Sequence, residues 1–288
     1  MSRENCFVSE IHTYPVKSCA GIALEEASLT PRGIEFDRCF MVVTESLGFM
    51  TQREIPKMAQ ILTRIAGAEL LLSAPGQEVL ALPLHGGGRN PTPVVMRDST
   101  CMGVDQGPYA SSWLTDFLGQ YKGENLKLLS FYLPFVREVD PFYTGSDHAT
   151  TAFSDGFPFL VTSEASLAEL NRRILENGGE AVPMNRFRPN IVISGVEPFE
   201  EDTISELRFP RSHAALKLAK PCARCVITRT DQTSGQVHRT EPLKTLGQFR
   251  VFANQKGERG AMFGQNAYLI RGAGEQIVPQ EPVEVLYK

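Results

Sequence analysis

Short β-rich runs, each closed by turn residues, recur along the chain, and this spacing constrains the fold more than any other feature. Residues 8–14, 39–44, 68–73, 92–97 and 127–131 each read as a strand, rich in β-branched and apolar side chains. Runs this short and this frequent favour barrels or sandwiches over a doubly wound sheet. Two segments carry helical period instead. In residues 108–118, Ala110, Trp113, Leu114 and Phe117 fall on one face, as in a helix packed on a core; the single tryptophan is then a core residue. Residues 162–175 open on Thr162-Ser163-Glu164, a polar start that can cap a first turn. Such a helix start also presents free backbone N–H groups suited to an anion.

The expected fold class is therefore α+β, mostly β. A chain of 288 residues accommodates two modest domains, and the boundary is placed near Gly123, giving domains at residues 1–123 and 124–288. Residues 134–151 have mixed polarity, two prolines and no period, which predicts a long loop of the functional or mobile kind. Gly86-Gly87-Gly88 reads as a flexible tip too short to cradle phosphate. The formal net charge is −4 with basic residues scattered, so no basic stripe invites a nucleic acid polymer or an anionic membrane. Residues 1–7 lack the apolar core of a signal peptide, and no run approaches the roughly 20 apolar residues of a membrane span. A soluble, cytoplasmic protein is expected.

Cys222-Ala-Arg-Cys225 is the stretch richest in chemistry. Six cysteines in this length do not make a disulfide framework. Zinc would find two ligands here and His238 beyond, but no fourth. A thioredoxin-like dithiol gains reactivity at a helix N-terminus, whereas the β-branched residues 226–230 predict a strand after the pair. Two buried structural cysteines remain the bland alternative, against which Arg224 argues, because a guanidinium is rarely buried without an anion.

Other polar groups are ambiguous singly. Lys17 and Ser18 end the first strand after a proline-stiffened turn and could hold a phosphate or be plain solvated surface. Arg38, after Asp37, reads as a local ion pair or a second phosphate ligand, and Arg53 is equally open. Arg186 and Arg188, two apart on an extended segment, project to one side and repel unless an anion or acids such as Glu197, Glu200, Glu201 and Asp202 lie between them. Gly264 permits close backbone approach, and Gln265 and Asn266 offer two amides to a heterocycle edge.

Taken in order, Tyr14-Pro-Val-Lys17-Ser18, Asp37-Arg38, Ser154-Asp-Gly-Phe-Pro158, Ser163-Glu-Ala-Ser-Leu167, Phe187-Arg-Pro-Asn190, Cys222-Ala-Arg-Cys225 and Phe263-Gly-Gln265 resemble the MOSC-domain proteins, in particular the amidoxime-reducing components and their bacterial relatives. The resemblance spans essentially the whole chain. It implies an N-terminal β-barrel-like domain followed by a MOSC β-barrel domain with flanking helices. It further implies a molybdenum cofactor (Mo-molybdopterin) whose metal is held by the Cys225 thiolate, a soft ligand, while Cys222 matches a position that is not a ligand. By the same matching, Lys17, Ser18 and Arg38 hold the phosphate end of the pterin. Arg188, Asn190, Arg224 and Asn266 contact the pyranopterin or the metal's oxo groups, with Asp155, Gly156 and Phe157 contributing. Asn266 and the Gly156-Phe157 pair depart from the residues that the mitochondrial relatives carry at those positions.

The expected activity is reduction of N-hydroxylated compounds (amidoximes, hydroxylamines, N-hydroxylated nucleobases), with Cys225, Arg224 and Asn190 as the catalytic candidates. Some bacterial relatives continue into a ferredoxin-like domain with four cysteines, whereas this chain stops at Lys288. No internal iron–sulfur cluster is expected, and electrons would come from a separate donor, a ferredoxin- or flavin-type reductase. Two other functions fit the same motifs: a persulfide carrier using Cys225, and a chaperone that binds and hands over the molybdenum cofactor.

Overall fold

The computed structural model describes residues 6–86, 90–97 and 99–288; the glycine tip at residues 86–88 lies largely outside them. The fold is α+β and mostly β. The expected strands form as Phe7–Thr13, Phe40–Thr44, Glu69–Ser73, Pro91–Met96 and Leu126–Phe131.

The largest sheet runs in the order Glu284–Tyr287, Ile204–Phe209, Ala214–Ala223, Arg259–Arg271, Phe159–Ser163, Ile191–Ser194, Phe7–Thr13, Ile22–Ala23, with Val251–Ala253 beside Arg259–Arg271. Its one parallel pair, Phe159–Ser163 with Ile191–Ser194, is joined through the helix Glu164–Glu176, the crossover that a parallel pair requires. Side-chain alternation divides the sheet's two faces. Val8, Ile11, Val161, Ile191, Ile193, Leu207 and Leu216 enter one core. Val192 faces the other way, onto Leu170 and Ile174 of the helix and onto Phe187 and Phe263. As expected, Ser163 caps that helix: its hydroxyl accepts from the Ser166 N–H at 3.1 Å.

A second, antiparallel sheet orders Phe40–Thr44, Leu126–Phe131, Ser99–Asp105 and Pro91–Met96. The helix Pro108–Leu118 buries Ala110, Trp113, Leu114 and Phe117 against it. Trp113 Nε1 donates to the Glu78 carbonyl at 2.6 Å, so this ring is core, as the periodicity predicts. Leu70, Leu72, Leu80 and Leu82, from a three-stranded meander, close the same core.

The chain passes twice between these layers. Phe7–Thr13 pairs with Ile191–Ser194, and Leu126–Phe131 is an inner strand of the second sheet. The long segment at residues 134–151 contains one short helix, Pro141–Thr144, capped by Asp140, and is otherwise irregular. Among the described residues, no helix is long and apolar enough to cross a membrane.

Candidate cofactor and catalytic site

Several pieces of chain converge beside the sheets, among them the turn after Phe7–Thr13, the turn before Phe40–Thr44, the loop before Phe159–Ser163, the turn before Ile191–Ser194, the end of Ala214–Ala223 and the middle of Arg259–Arg271. A cavity of about 140 Å³ opens between them. The residues that the resemblance assigns to the cofactor lie on its wall: Lys17, Ser18, Arg38, Asp155, Gly156, Phe157, Arg188, Asn190, Arg224, Cys225 and Asn266. Three of these, Ser18, Arg38 and Arg188, hold left-handed backbone with φ of 68°, 48° and 54°. Such conformations are disfavoured for side-chain-bearing residues and persist where the surroundings fix them.

Tyr14 organises the basic wall. Its ring is fully buried, its hydroxyl donates to the Pro189 carbonyl at 3.0 Å, and burial pushes its pKa up to about 12. The guanidiniums of Arg38 and Arg188 both lie over this ring, at 4.4 and 4.3 Å from its centroid, where the ring quadrupole favours cations. Gly21 makes room for it: a Cβ there would lie 2.4 Å from Tyr14 Cε1.

Arg38 Nη1 donates to Asp37 and to Asn190 Oδ1, and its Nη2 donates to the Arg188 carbonyl at 3.2 Å. Asn190 is 1% exposed. Its Oδ1 also accepts from the Leu160 N–H, and its Nδ2 donates to the His12 carbonyl at 3.2 Å. This amide therefore braces strand to arginine first, and offers little that is free for chemistry.

Arg188 is 9% exposed. Nη1 donates to Gln232 Oε1 at 3.1 Å, while Nη2 is buried with no partner among the described residues. Burial pulls its pKa down to about 10 against the opposing influence of Tyr14, and Arg38 adds to the fall. Arg224 Nη2 donates to the Phe187 carbonyl at 2.7 Å and Nη1 to Cys222 Sγ at 2.9 Å; its Nε is likewise buried and unpaired.

Lys17 is buried and donates to the Phe153 carbonyl at 3.0 Å and to Asp155. Burial lowers its pKa, and Asp155 opposes the fall. Asp155 also meets Arg97 at 3.2 Å and Arg53 at 3.7 Å. Burial works to raise its carboxyl, but Lys17 and Arg97 hold it well below the usual range.

Several expectations are corrected here. No strand follows Cys225: Val226–Arg229 is a 3₁₀ turn, closed by the Thr228 N–H and hydroxyl donating to the Cys225 carbonyl at 3.1 and 2.9 Å. Local hydrogen bonds override β propensity there. The cysteine pair sits instead where the long strand Ala214–Ala223 ends. His238 turns its Nδ1 to the backbone N–H groups of Thr240 and Glu241, away from any pairing with the cysteines.

Arg186 and Arg188 are not side by side on an extended segment. Met184–Arg186 is a 3₁₀ turn, and Pro189 disfavours right-handed helix at Arg188. Arg186 pairs with Asp231 at 3.1 Å and with the Arg229 carbonyl. Two of the acids at 197–202 are engaged elsewhere: Glu201 takes Ser163 and Ser166, and Asp202 takes Arg250. Gln265 points away from the cavity to Asp202 Oδ1 at 2.6 Å, so only Asn266 of the two amides lines it.

Arg53 is the residue that sequence left undecided: Nη2 donates to Cys225 Sγ at 3.4 Å. Its only signal was a charged side chain in a turn-rich stretch. Tyr14 and Gln232 gave none beyond their place in or beside a motif.

Comparison with known proteins matches the MOSC N-terminal beta barrel domain to residues 5–121 and the MOSC domain to residues 148–283. Mitochondrial amidoxime-reducing component 1 of Homo sapiens is 34% identical over 257 residues, covering 84% of this chain and 72% of that protein. Mitochondrial amidoxime reducing component 2 of Rattus norvegicus is 33% identical over 257 residues, covering 85% and 72%. Component 1 of Danio rerio is 28% identical over 289 residues, covering 97% and 85%.

Proposed function

The chain belongs to the MOSC-domain family of amidoxime-reducing components, and from that premise we propose that it is a molybdenum-cofactor-dependent oxidoreductase that reduces N-hydroxylated compounds. The observation that carries the reading is chemical. Lys17, Arg38, Arg188 and Arg224 surround one cavity, two of them with buried N–H groups that lack partners among the described residues, and a thiol opens onto the same space. Unpaired buried donors are costly unless a ligand accepts from them. The donor set fits an anionic pterin phosphate, and the thiol fits a soft metal.

When bound, the cofactor supplies two-electron oxygen-atom chemistry. Cys225 holds the metal, and Arg53 donates to its sulfur. Lys17, Ser18 and Arg38 hold the phosphate, while Arg188 and Arg224 give their unpaired N–H groups to the pyranopterin. Phe157, Leu160 and Ile227 supply the apolar part of the wall, which excludes water around a substrate's N–OH group. Reduction of R–NHOH to R–NH₂ takes two electrons and two protons and releases water. The electrons come from a separate donor protein, and the amidoximes, hydroxylamines and N-hydroxylated nucleobases are the substrate class. A persulfide carrier would need Cys225 but not the buried basic wall, which favours retained pterin.

Protein from a molybdenum-cofactor-competent host, given a reduced viologen and benzamidoxime, should form benzamidine, and Cys225→Ala should not. Turnover by Cys225→Ala would overturn the assignment of Cys225. A fully loaded wild type that turns over no N-hydroxylated compound would leave the chaperone reading in its place.

A further inference from the structure

A second cavity, of about 170 Å³, is lined in part by Asp37 and Cys39, the neighbours of Arg38 in the chain. Its walls include Ile34, Phe36, Phe40, Leu84, Phe131 and Leu133, with the His85 ring against Phe36 at 5.6 Å between centroids. A cavity near 150 Å³ takes a benzene ring, so this one holds a single ring or a branched aliphatic body with a small head group.

The polar groups on this wall differ in what they have left to give. Asp37 is buried, and both its oxygens are taken, by the Tyr14 N–H at 2.9 Å and by Arg38. The Cys39 thiol is pushed up to about 12 by burial, with Asp37 adding to the rise, so it stays protonated and is no nucleophile. Arg32 is different. Its Nη2 donates to the Leu133 carbonyl at 2.8 Å, and its Cζ lies 5.7 Å from the Phe131 ring centroid. Its Nε is buried with no partner among the described residues. A guanidinium N–H in that state calls for an anionic oxygen.

We propose that this cavity is a binding site for a small aromatic or branched aliphatic monocarboxylate. The carboxylate accepts from Arg32 Nε, and the apolar body lies among Phe36, Phe40, Leu84 and Phe131. The proposal is independent of the reading of the first cavity.

Benzoate is the probe, with benzyl alcohol as its neutral counterpart, followed by titration calorimetry and ligand-observed NMR on the full chain. Benzoate should bind the wild type, and Arg32→Gln should weaken it about tenfold or more, the loss of one charge-assisted bond. Benzyl alcohol should bind weakly and equally to both. Cys39→Leu, which fills the cavity, should abolish benzoate binding while the Tm is held. Excess pyrophosphate, drawn to the basic cavity, should leave benzoate in place. No benzoate binding at about 10 mM, binding indifferent to Arg32→Gln and Cys39→Leu, or displacement by pyrophosphate would each overturn the proposal.

Discussion

Arg188→Met removes a buried cation while keeping an unbranched stem that can still lie over Tyr14. A free guanidinium titrates at roughly 12.5, and burial holds Arg188 at about 10. The difference is a penalty of about 3 kcal/mol on carrying this charge in the folded, ligand-free chain. The variant also forfeits the hydrogen bond to Gln232, about 1.5 kcal/mol for a charged donor. Gln232 Oε1 keeps its second donor, Gln52 Nε2 at 2.9 Å, so no new unpaired acceptor is created. The cation–π contact with Tyr14, about 1 kcal/mol, is lost as well, so the terms nearly cancel and Tm stays within about 2 °C of wild type. Binding does not stay level. Pyrophosphate, a small anion able to reach the wall where Arg38 and Arg188 share the Tyr14 ring, should lose about tenfold to a hundredfold in affinity with one charged donor gone. The assay is thermal unfolding of cofactor-free protein, with and without pyrophosphate, alongside calorimetry. A variant that melts several degrees below wild type, or that binds pyrophosphate as well, would refute the idea that Arg188 is kept for an anion rather than for the stability of the empty fold.

Tyr14→Phe should keep pyrophosphate affinity within about threefold, because the ring that carries Arg38 and Arg188 remains; Tyr14→Leu should lose about tenfold and about 2–4 kcal/mol of stability in urea unfolding. Gly21→Ala should cost about 1–3 kcal/mol by driving a methyl into that ring, and weaken pyrophosphate in parallel. Glu201 is fully buried, and burial pushes its carboxyl up to about 7. A raised acid stabilises the fold fully below its unfolded pKa, roughly 4.3, and that contribution fades as pH rises through about 7. Tm followed from pH 4 to pH 8 should therefore fall more in wild type than in Glu201→Gln, and superimposable profiles would contradict this. Asp155→Asn should lower the Tm of cofactor-free protein, by leaving Lys17 without its acid, yet give a larger Tm rise with pyrophosphate than wild type shows.

What sequence made legible was set by near neighbours. The β-branched runs and the one-sided face of residues 108–118 fold as their periods predict, and Ser163 caps the helix it precedes. Five of the seven motifs, scattered from Tyr14 to Cys225, meet on one cavity wall, whereas Ser163–Leu167 and Phe263–Gln265 lie off it. The misread segments are those where a few local bonds beat propensity. Thr228 folds back onto Cys225, and the residues before Pro189 turn instead of extending, which sends Arg186 and Arg188 to different partners. Long-range pairing was invisible: nothing near Arg53 indicates that it meets a sulfur 172 positions away. Nor does the first strand announce Ile191–Ser194 as its partner. The same limit explains Asn190, which the resemblance assigns to the pyranopterin or the metal's oxo groups, whereas His12 and Leu160, reached only through the fold, engage its amide.

The most direct measurement is metal and pterin content of protein made in a molybdenum-cofactor-competent host, for wild type, Cys225→Ala and Lys17→Ala/Arg188→Ala. The account predicts about one molybdenum and one pterin per wild-type chain, loss of metal on removing Cys225, and loss of pterin on removing the basic pair. Wild-type protein devoid of both, or a Cys225→Ala chain that retains its molybdenum, would contradict it.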